Sequence, residues 1–172
     1  HALYKAYKMG ARTDADFYAS DLLRDILSTG ESSRLYQQLV KEKKLFSSIS
    51  AYSTETIDAG MLMVEGRLAK GVGIDDADKA VAQALDEIVN TKVTEEELTK
   101  VKNKIEAYVT FGEVNVLNRA MNLAYFDMLG NAAGVNHEIE KYMAVTTDSL
   151  QQAAARIFRK EKSNTIKYLS NN

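Results

Sequence analysis

Apolar positions recur along this chain at two spacings, and the switches between them mark out its elements. Over Ala2–Met9, Leu3, Tyr7 and Met9 alternate with polar neighbours and Tyr4 and Ala6 flank Lys5, which is how a strand with one buried face reads. Gly10 to Thr13 makes a turn, and Thr13 or Asp14 is placed to cap a helix whose stripe is Ala15, Tyr18, Leu22, Leu23, Ile26 and Leu27, closed by Ser28-Thr29-Gly30. Gly30 then opens GESSRLYQQLVKEKKL. Its serine hydroxyls suit the unpaired N–H groups of a first helical turn, with Leu35, Leu39 and Val40 on one face and Arg34, Gln37, Gln38, Lys41, Lys43 and Lys44 on the other. From Ser47 the period drops to two in SSISAYST. A polar turn from Thr56 to Gly60 leads to a second alternating run, MLMVEGRL, and the two predict an antiparallel hairpin.

The second half of the chain is helical in pattern. Gly71 to Gly73 breaks the strand, and Asp75 or Asp76 caps a helix carrying Ala77, Val81, Leu85, Ile88 and Val89. Thr94-Glu95-Glu96-Glu97 is a capping box, in which the hydroxyl and the Glu97 carboxylate each serve the other residue's backbone N–H. The stripe that follows, Leu98, Val101, Ile105, Tyr108 and Val109, resumes past Gly112 as Val116, Met121, Leu123, Ala124, Tyr125 and Met128. A break is expected at Gly112, since glycine costs a helix about 1 kcal/mol against alanine. Gly130 supplies a left-handed stop, Val135 to Met143 reads as a short helix, and Thr146-Thr147-Asp148 caps a last one with Leu150, Ala153, Ala154, Ile157 and Phe158. Thr165 to Leu169 alternates again as a closing strand.

Four strands among more helices than can lie within their sheet predict an α+β fold: a two-layer domain, mostly antiparallel, with helices covering one face. Proline is absent and no linker, low-complexity tract or repeat interrupts the 172 residues, so residues 1–172 are expected to form one domain. Because the chain opens at His1 and enters a strand almost at once, it is expected to be a piece of a longer protein. The outward strand residues, among Tyr4, Ala6, Ile49, Ala51, Leu62, Val64, Ile166, Tyr168 and their alternates, are only partly polar, so apolar sheet surface is expected to stay exposed.

Composition removes several functions. A net charge of −2 from interspersed charges provides no field for nucleic acid or an anionic membrane, and no apolar run reaches the roughly 20 residues of a membrane span. The lack of cysteine removes thiolate and disulfide chemistry and leaves the bacterial cytoplasm and periplasm both open. Histidine occurs only at His1 and His137, so no H-x-x-E-H or H-E-x-x-H zinc site is present, and His137 beside Glu138 reads as a solvated loop residue. No histidine is placed to activate Ser32 or Ser33, which read as a cap. Gly71-Val-Gly-Ile lacks the spacing of a nucleotide loop and precedes acidic residues. These readings predict no catalytic residue, metal ligand or cofactor in this segment.

The run ARTDADFYASDLLRDILSTGESSRLYQQLVKEKKL, Ala11 to Leu45, followed by SSISAYS, resembles the second domain of a half-molecule in the M16 zinc metallopeptidases, the family of pitrilysin, insulinase and mitochondrial processing peptidase. The tail AVTTDSLQQAAARIFRKEKSNTIKYLS is similar to that family's closing segment, and the resemblance covers nearly the whole chain. It implies a LuxS/MPP-like metallohydrolase fold and a domain without zinc, the Zn2+ belonging to a sister M16 domain of the same or another chain with which this one encloses peptide substrate. In some members an arginine and a tyrosine seven residues apart, around the helix-to-strand passage, hold substrate. Val40 and Ser47 occupy those positions here, so that role does not carry over. Arg34 and Tyr36 of the S-S-R-L-Y motif are the candidates for substrate or domain contact, arginine by pinning a neighbouring loop or domain and tyrosine by packing under it. The alternative is an M16-fold scaffold in a non-proteolytic assembly.

Overall fold

The computed structural model describes residues 1–54 and 56–170. Among them four strands, β1 (Ala2–Met9), β2 (Phe46–Ser53), β3 (Gly60–Leu68) and β4 (Ser163–Tyr168), form one antiparallel sheet in the order β2-β3-β1-β4. The α-helices are α1 (Phe17–Ser28), α2 (Ile74–Asn90), α3 (Glu95–Gly112), α4 (Val116–Met128), α5 (Glu138–Met143) and α6 (Thr147–Ile157). A π-helix spans Tyr36–Glu42. The α+β fold expected from the patterning is the one observed.

Alternation decides the sheet's inner face. Leu3, Tyr7 and Met9 of β1 and Leu62, Val64 and Leu68 of β3 are buried, with Phe46 and Ala51 of β2, beneath α1, α2 and α6. Gly66 is fixed by this packing: a Cβ there would lie 2.5 Å from the Phe46 ring, which a register shift between Phe46 and Ser48 turns inward. Lys5, also inward, is buried with its ammonium on Asp78 and on the Thr165 hydroxyl at 3.2 Å, so its charge is paired. From the helices come Leu22, Leu23 and Leu27 of α1, Leu85 and Ile88 of α2, and Leu150 and Ala154 of α6, all at most 1% exposed.

Several boundaries differ from the sequence reading, each for a local reason. The α1 helix begins at Phe17, because the Asp14 carboxylate is spent on the backbone N–H of Ala11 at 3.1 Å and caps nothing; the N-cap is Asp16. Gly73, with Asp75 and Asp76 in the first turn, replaces an aspartate as the α2 cap. The helix expected from the Gly-Glu-Ser-Ser turn starts without a serine cap. Ser32 Oγ accepts from Lys100 Nζ at 2.9 Å, and Ser33 Oγ is buried with no partner among the described residues. Its later part is a π-helix, with Lys43 N–H donating to the Gln38 carbonyl five residues back at 3.0 Å, and it ends at Glu42 rather than running through Lys44, which takes φ +50°. The short helix after Gly130 is divided into a 3-10 turn, Ala132–His137, and α5. The capping box at Thr94–Glu97, the break after Gly112, the left-handed Gly130 and the cap at Thr146 stand as expected, and Ser149 closes a second box with Thr146 that the sequence reading did not include.

The larger departure concerns the stripe on α3 and α4. Leu98 and Val101 are buried, but Tyr108, Val116, Met121, Leu123 and Met128 lie 52–77% exposed, so the stripe continues beyond the core that it was expected to join. Only Phe126 of α4 is buried.

Candidate functional site

Arg34 sits just before the π-helix, and its guanidinium forms a forked pair with Glu97 at the start of α3: Nε to Oε1 at 2.8 Å and Nη2 to Oε2 at 2.9 Å. The same carboxylate accepts from the Thr94 backbone N–H at 2.9 Å. The Arg34 hydrogen bonds come first among the causes that hold the Glu97 carboxyl down at about 2, with Thr94 adding to them against partial burial. Tyr36 is half-buried at the first position of the π-helix. Arg34 and Tyr36 make no hydrogen bond or ring contact with one another. Val40 is half-buried on the π-helix, and Ser47 is exposed with its hydroxyl donating to the Arg67 carbonyl at 3.1 Å.

The Arg34–Glu97 pair carries a pH signature. A carboxyl whose folded pKa lies below its unfolded value of 4.5 stabilises the fold above that value and loses this contribution as pH falls toward 2. Arg34→Met is therefore expected to cost about 1 kcal/mol near neutrality, the exposed side of the pair being screened by water. It should also flatten the acid limb of stability between 4.5 and 2. Urea midpoints measured for both proteins at about pH 7 and about pH 3 check this, the gap between them shrinking at the lower value.

Among the described residues no three histidine, cysteine, aspartate or glutamate side chains are grouped to hold a metal ion. What the surface offers instead is uncovered apolar area on two elements. Register places Ala2, Tyr4 and Ala6 of β1, Met61 and Met63 of β3, Tyr52 of β2, and Ile166 and Tyr168 of β4 on the sheet's outer face. Ile166 and Tyr168 are more than 60% exposed, and none of the helices that pack on the inner face reaches them among the described residues. Ala51, Leu62 and Val64 are buried on the opposite, inner face, with Ile49 half-buried against the same core, so these four leave the outward set expected from the sequence. One residue's difference in phase decides the face in a strand.

The second uncovered surface runs from Tyr108 and Phe111 through Val114 to Val116, Leu117, Met121, Leu123 and Met128, each more than half exposed. It stands clear because α4 is held at its C-terminal end. Phe126 packs there on Gly134, where a Cβ would meet its ring at 2.9 Å. Arg12 lies 4.2 Å from the centroid of Phe17, 5.1 Å from Tyr18, 6.0 Å from Tyr125 and 5.6 Å from Phe126, with Glu138 at 2.6 Å and the Tyr18 hydroxyl at 3.2 Å. Burial pushes the Glu138 carboxyl up even beside that guanidinium, and burial with the Asp21 hydrogen bond pushes the Tyr142 phenol far up. Beside Arg12 a cleft of about 330 Å³ is lined by Asn122 and Tyr125 of α4 together with Asp21 and Tyr142. Nothing in the sequence pattern announced the Arg12 cage, whose partners lie as far as 126 positions away.

The profile of the peptidase M16 inactive domain matches residues 1–105. The chain belongs to the M16 peptidase family, as its inactive domain. Solved structures extend the likeness of fold to the remainder. The inactive peptidase domain of a Bordetella parapertussis protein superposes with a TM-score of 0.89 at 21% identity, over 99% of this chain and 90% of that one. A protease from Helicobacter pylori gives 0.88 at 21% identity over 95% of this chain, and a peptidase M16 inactive domain from Pseudomonas fluorescens 0.77 at 19% over 95%. The chain spans 40% of the Helicobacter pylori protein and 39% of the Pseudomonas fluorescens one. A comparison with curated proteins returns no match. As an M16 inactive domain, the segment is non-catalytic, in keeping with the reading of its histidines.

Proposed function

We propose that this M16 inactive domain works by docking against a zinc-bearing sister domain, of the same or another chain, and with it encloses and positions peptide substrate for a zinc-dependent endopeptidase. The observation that carries the proposal is the uncovered apolar surface of α4 and the end of α3. Eight large apolar side chains there are more than half exposed, and uncovered apolar surface of this kind marks a partner site. The open sheet face adds Tyr4, Met61, Ile166 and Tyr168. Zn2+ belongs in this reading to the partner. Arg34 acts through Glu97 to hold the turn into the π-helix, which leaves Tyr36 beside it as the candidate contact.

Reconstitution tests the reading. The chain alone is expected to retain no stoichiometric zinc after mild chelation and to cleave no unfolded peptide, whereas adding it to the separately purified zinc-bearing domain of the parent protein should raise zinc-dependent cleavage. Cleavage by the zinc-bearing domain that is indifferent to this chain would overturn the docking role. A parent protein lacking any H-x-x-E-H segment would move the domain to the scaffold reading.

A further inference from the structure

A cavity of about 680 Å³ lies between the start of α1, the C-terminal end of α4, the end of α5 and α6. Short side chains leave the space open: Ala19 on α1, Gly134 in the 3-10 turn, Ala144 at the end of α5 and Ala153 on α6. Phe126 and Leu129 of the α4 end add apolar wall. Pockets that take small ligands have this make-up, about 300–1,000 Å³ of mostly apolar lining with a few polar groups that fix the ligand's orientation.

The charged groups on the lining are engaged, with one exception. Arg12, buried, is bonded to Glu138 at 2.6 Å and to the Tyr18 hydroxyl at 3.2 Å. The Asp14 carboxylate accepts from the Ala11 backbone N–H at 3.1 Å, and Asp16 is paired with Arg156. Lys141 makes no ion pair or side-chain hydrogen bond among the described residues; its ammonium stands over the Tyr18 ring, 5.6 Å from the centroid. Glu138, one turn before it on α5, is the carboxylate that Arg12 holds. The side-chain amides of Asn131 and Gln152, also on the lining, make no hydrogen bond among the described residues. A lysine in the last turn of a helix is ordinarily a solvated charge. What sets Lys141 apart is the apolar cavity that it borders.

We propose that this cavity binds a small ligand with an apolar body and a single carboxylate, the carboxylate on Lys141 and the body against Phe126, Leu129 and Ala153. The amides of Asn131 and Gln152 are further donors on the same lining. A cationic ligand would find both aspartates already engaged, and a doubly charged anion would find one cation without a partner. That chemistry has two sources, the C-terminal end of a peptide with apolar last residues and a free organic acid. The inference does not rest on the docking of α4, whose exposed Leu117 and Met121 are not on this lining.

The test titrates the isotope-labelled 172-residue chain with phenylbutyrate and with N-acetyl-leucyl-leucine and follows the backbone amide chemical shifts. Both acids are expected to shift Ala19, Ala144 and Ala153 saturably. Their carboxamide forms keep the apolar body, lose the charge and should bind about tenfold or more weakly. Lys141→Gln should weaken both acids about tenfold and leave the carboxamides as they were, a contrast that a general loss of fold would not produce. Ala144→Phe, at an exposed position of the lining, should fill the space and abolish binding of acids and carboxamides alike. Should that variant disturb α5, Lys141→Gln, also at an exposed position, supplies the comparison alone. Binding of the dipeptide only would assign the site to peptide ends and binding of phenylbutyrate only to free acids, and either upholds it. No saturable shift with either acid, equal binding of acids and carboxamides, or undiminished binding of the acids by Lys141→Gln would each overturn the proposal.

Discussion

Replacing Leu39 by aspartate is expected to leave the chain unfolded or aggregated. Leu39 is fully buried on the π-helix, and an aspartate there sets a carboxylate without a partner into a core built by α1, β2 and Leu35. Burying an unpaired charge and losing the leucine packing together cost several kcal/mol against a total stability of about 5–15 kcal/mol. Lys43→Asp, four positions away and exposed, should change stability by about 0.5 kcal/mol or less. Far-UV circular dichroism melts of the two variants check the contrast. Similar melting temperatures would mean that Leu39 does not face the core.

The other large effect is expected on α4. Leu117, Met121 and Met128 are each more than 60% exposed, so charging them leaves the fold as it is and removes the apolar surface that a partner would cover. Leu117→Glu with Met121→Glu should therefore leave the melting temperature within about 2 °C of the parent and abolish association with the zinc-bearing domain. It should also remove any weak self-association of the chain at high concentration, which an open patch of this size promotes. Sedimentation velocity with and without the zinc-bearing domain separates the two. Loss of fold in the double variant would place these side chains inside the core, and unchanged association would move the interface to the outer sheet face around Tyr4, Ile166 and Tyr168.

The two halves of the chain were unequally legible before the structure. Strands were readable because a period of two is short and local: β1 was placed at Ala2–Met9, and β2 and β3 pair antiparallel as expected. Capping boxes were equally readable, since Thr94 and Glu97 make their reciprocal bonds within four residues. Periodicity of 3.6 found α4 but not its surroundings, because a stripe says which side is apolar and not what will cover it. For the same reason the strand pattern found apolar alternates without saying which set, Leu62 and Val64 or Met61 and Met63, faces inward. The π-helix was hidden because two turns hold too few apolar positions to distinguish one helical period from another, and Leu35 and Leu39 suit both. The Arg12 cage was hidden by distance along the chain, which no local pattern reports.

Amide hydrogen exchange across Val116–Met128 tests the central claim most directly, compared between this chain alone and this chain with the zinc-bearing sister domain added. If the domain works by docking that sister domain through α4, exchange in the helix should slow markedly in the mixture, while α1 and α2, already in the core, change little. Equal exchange in α4 with and without the sister domain would contradict the account.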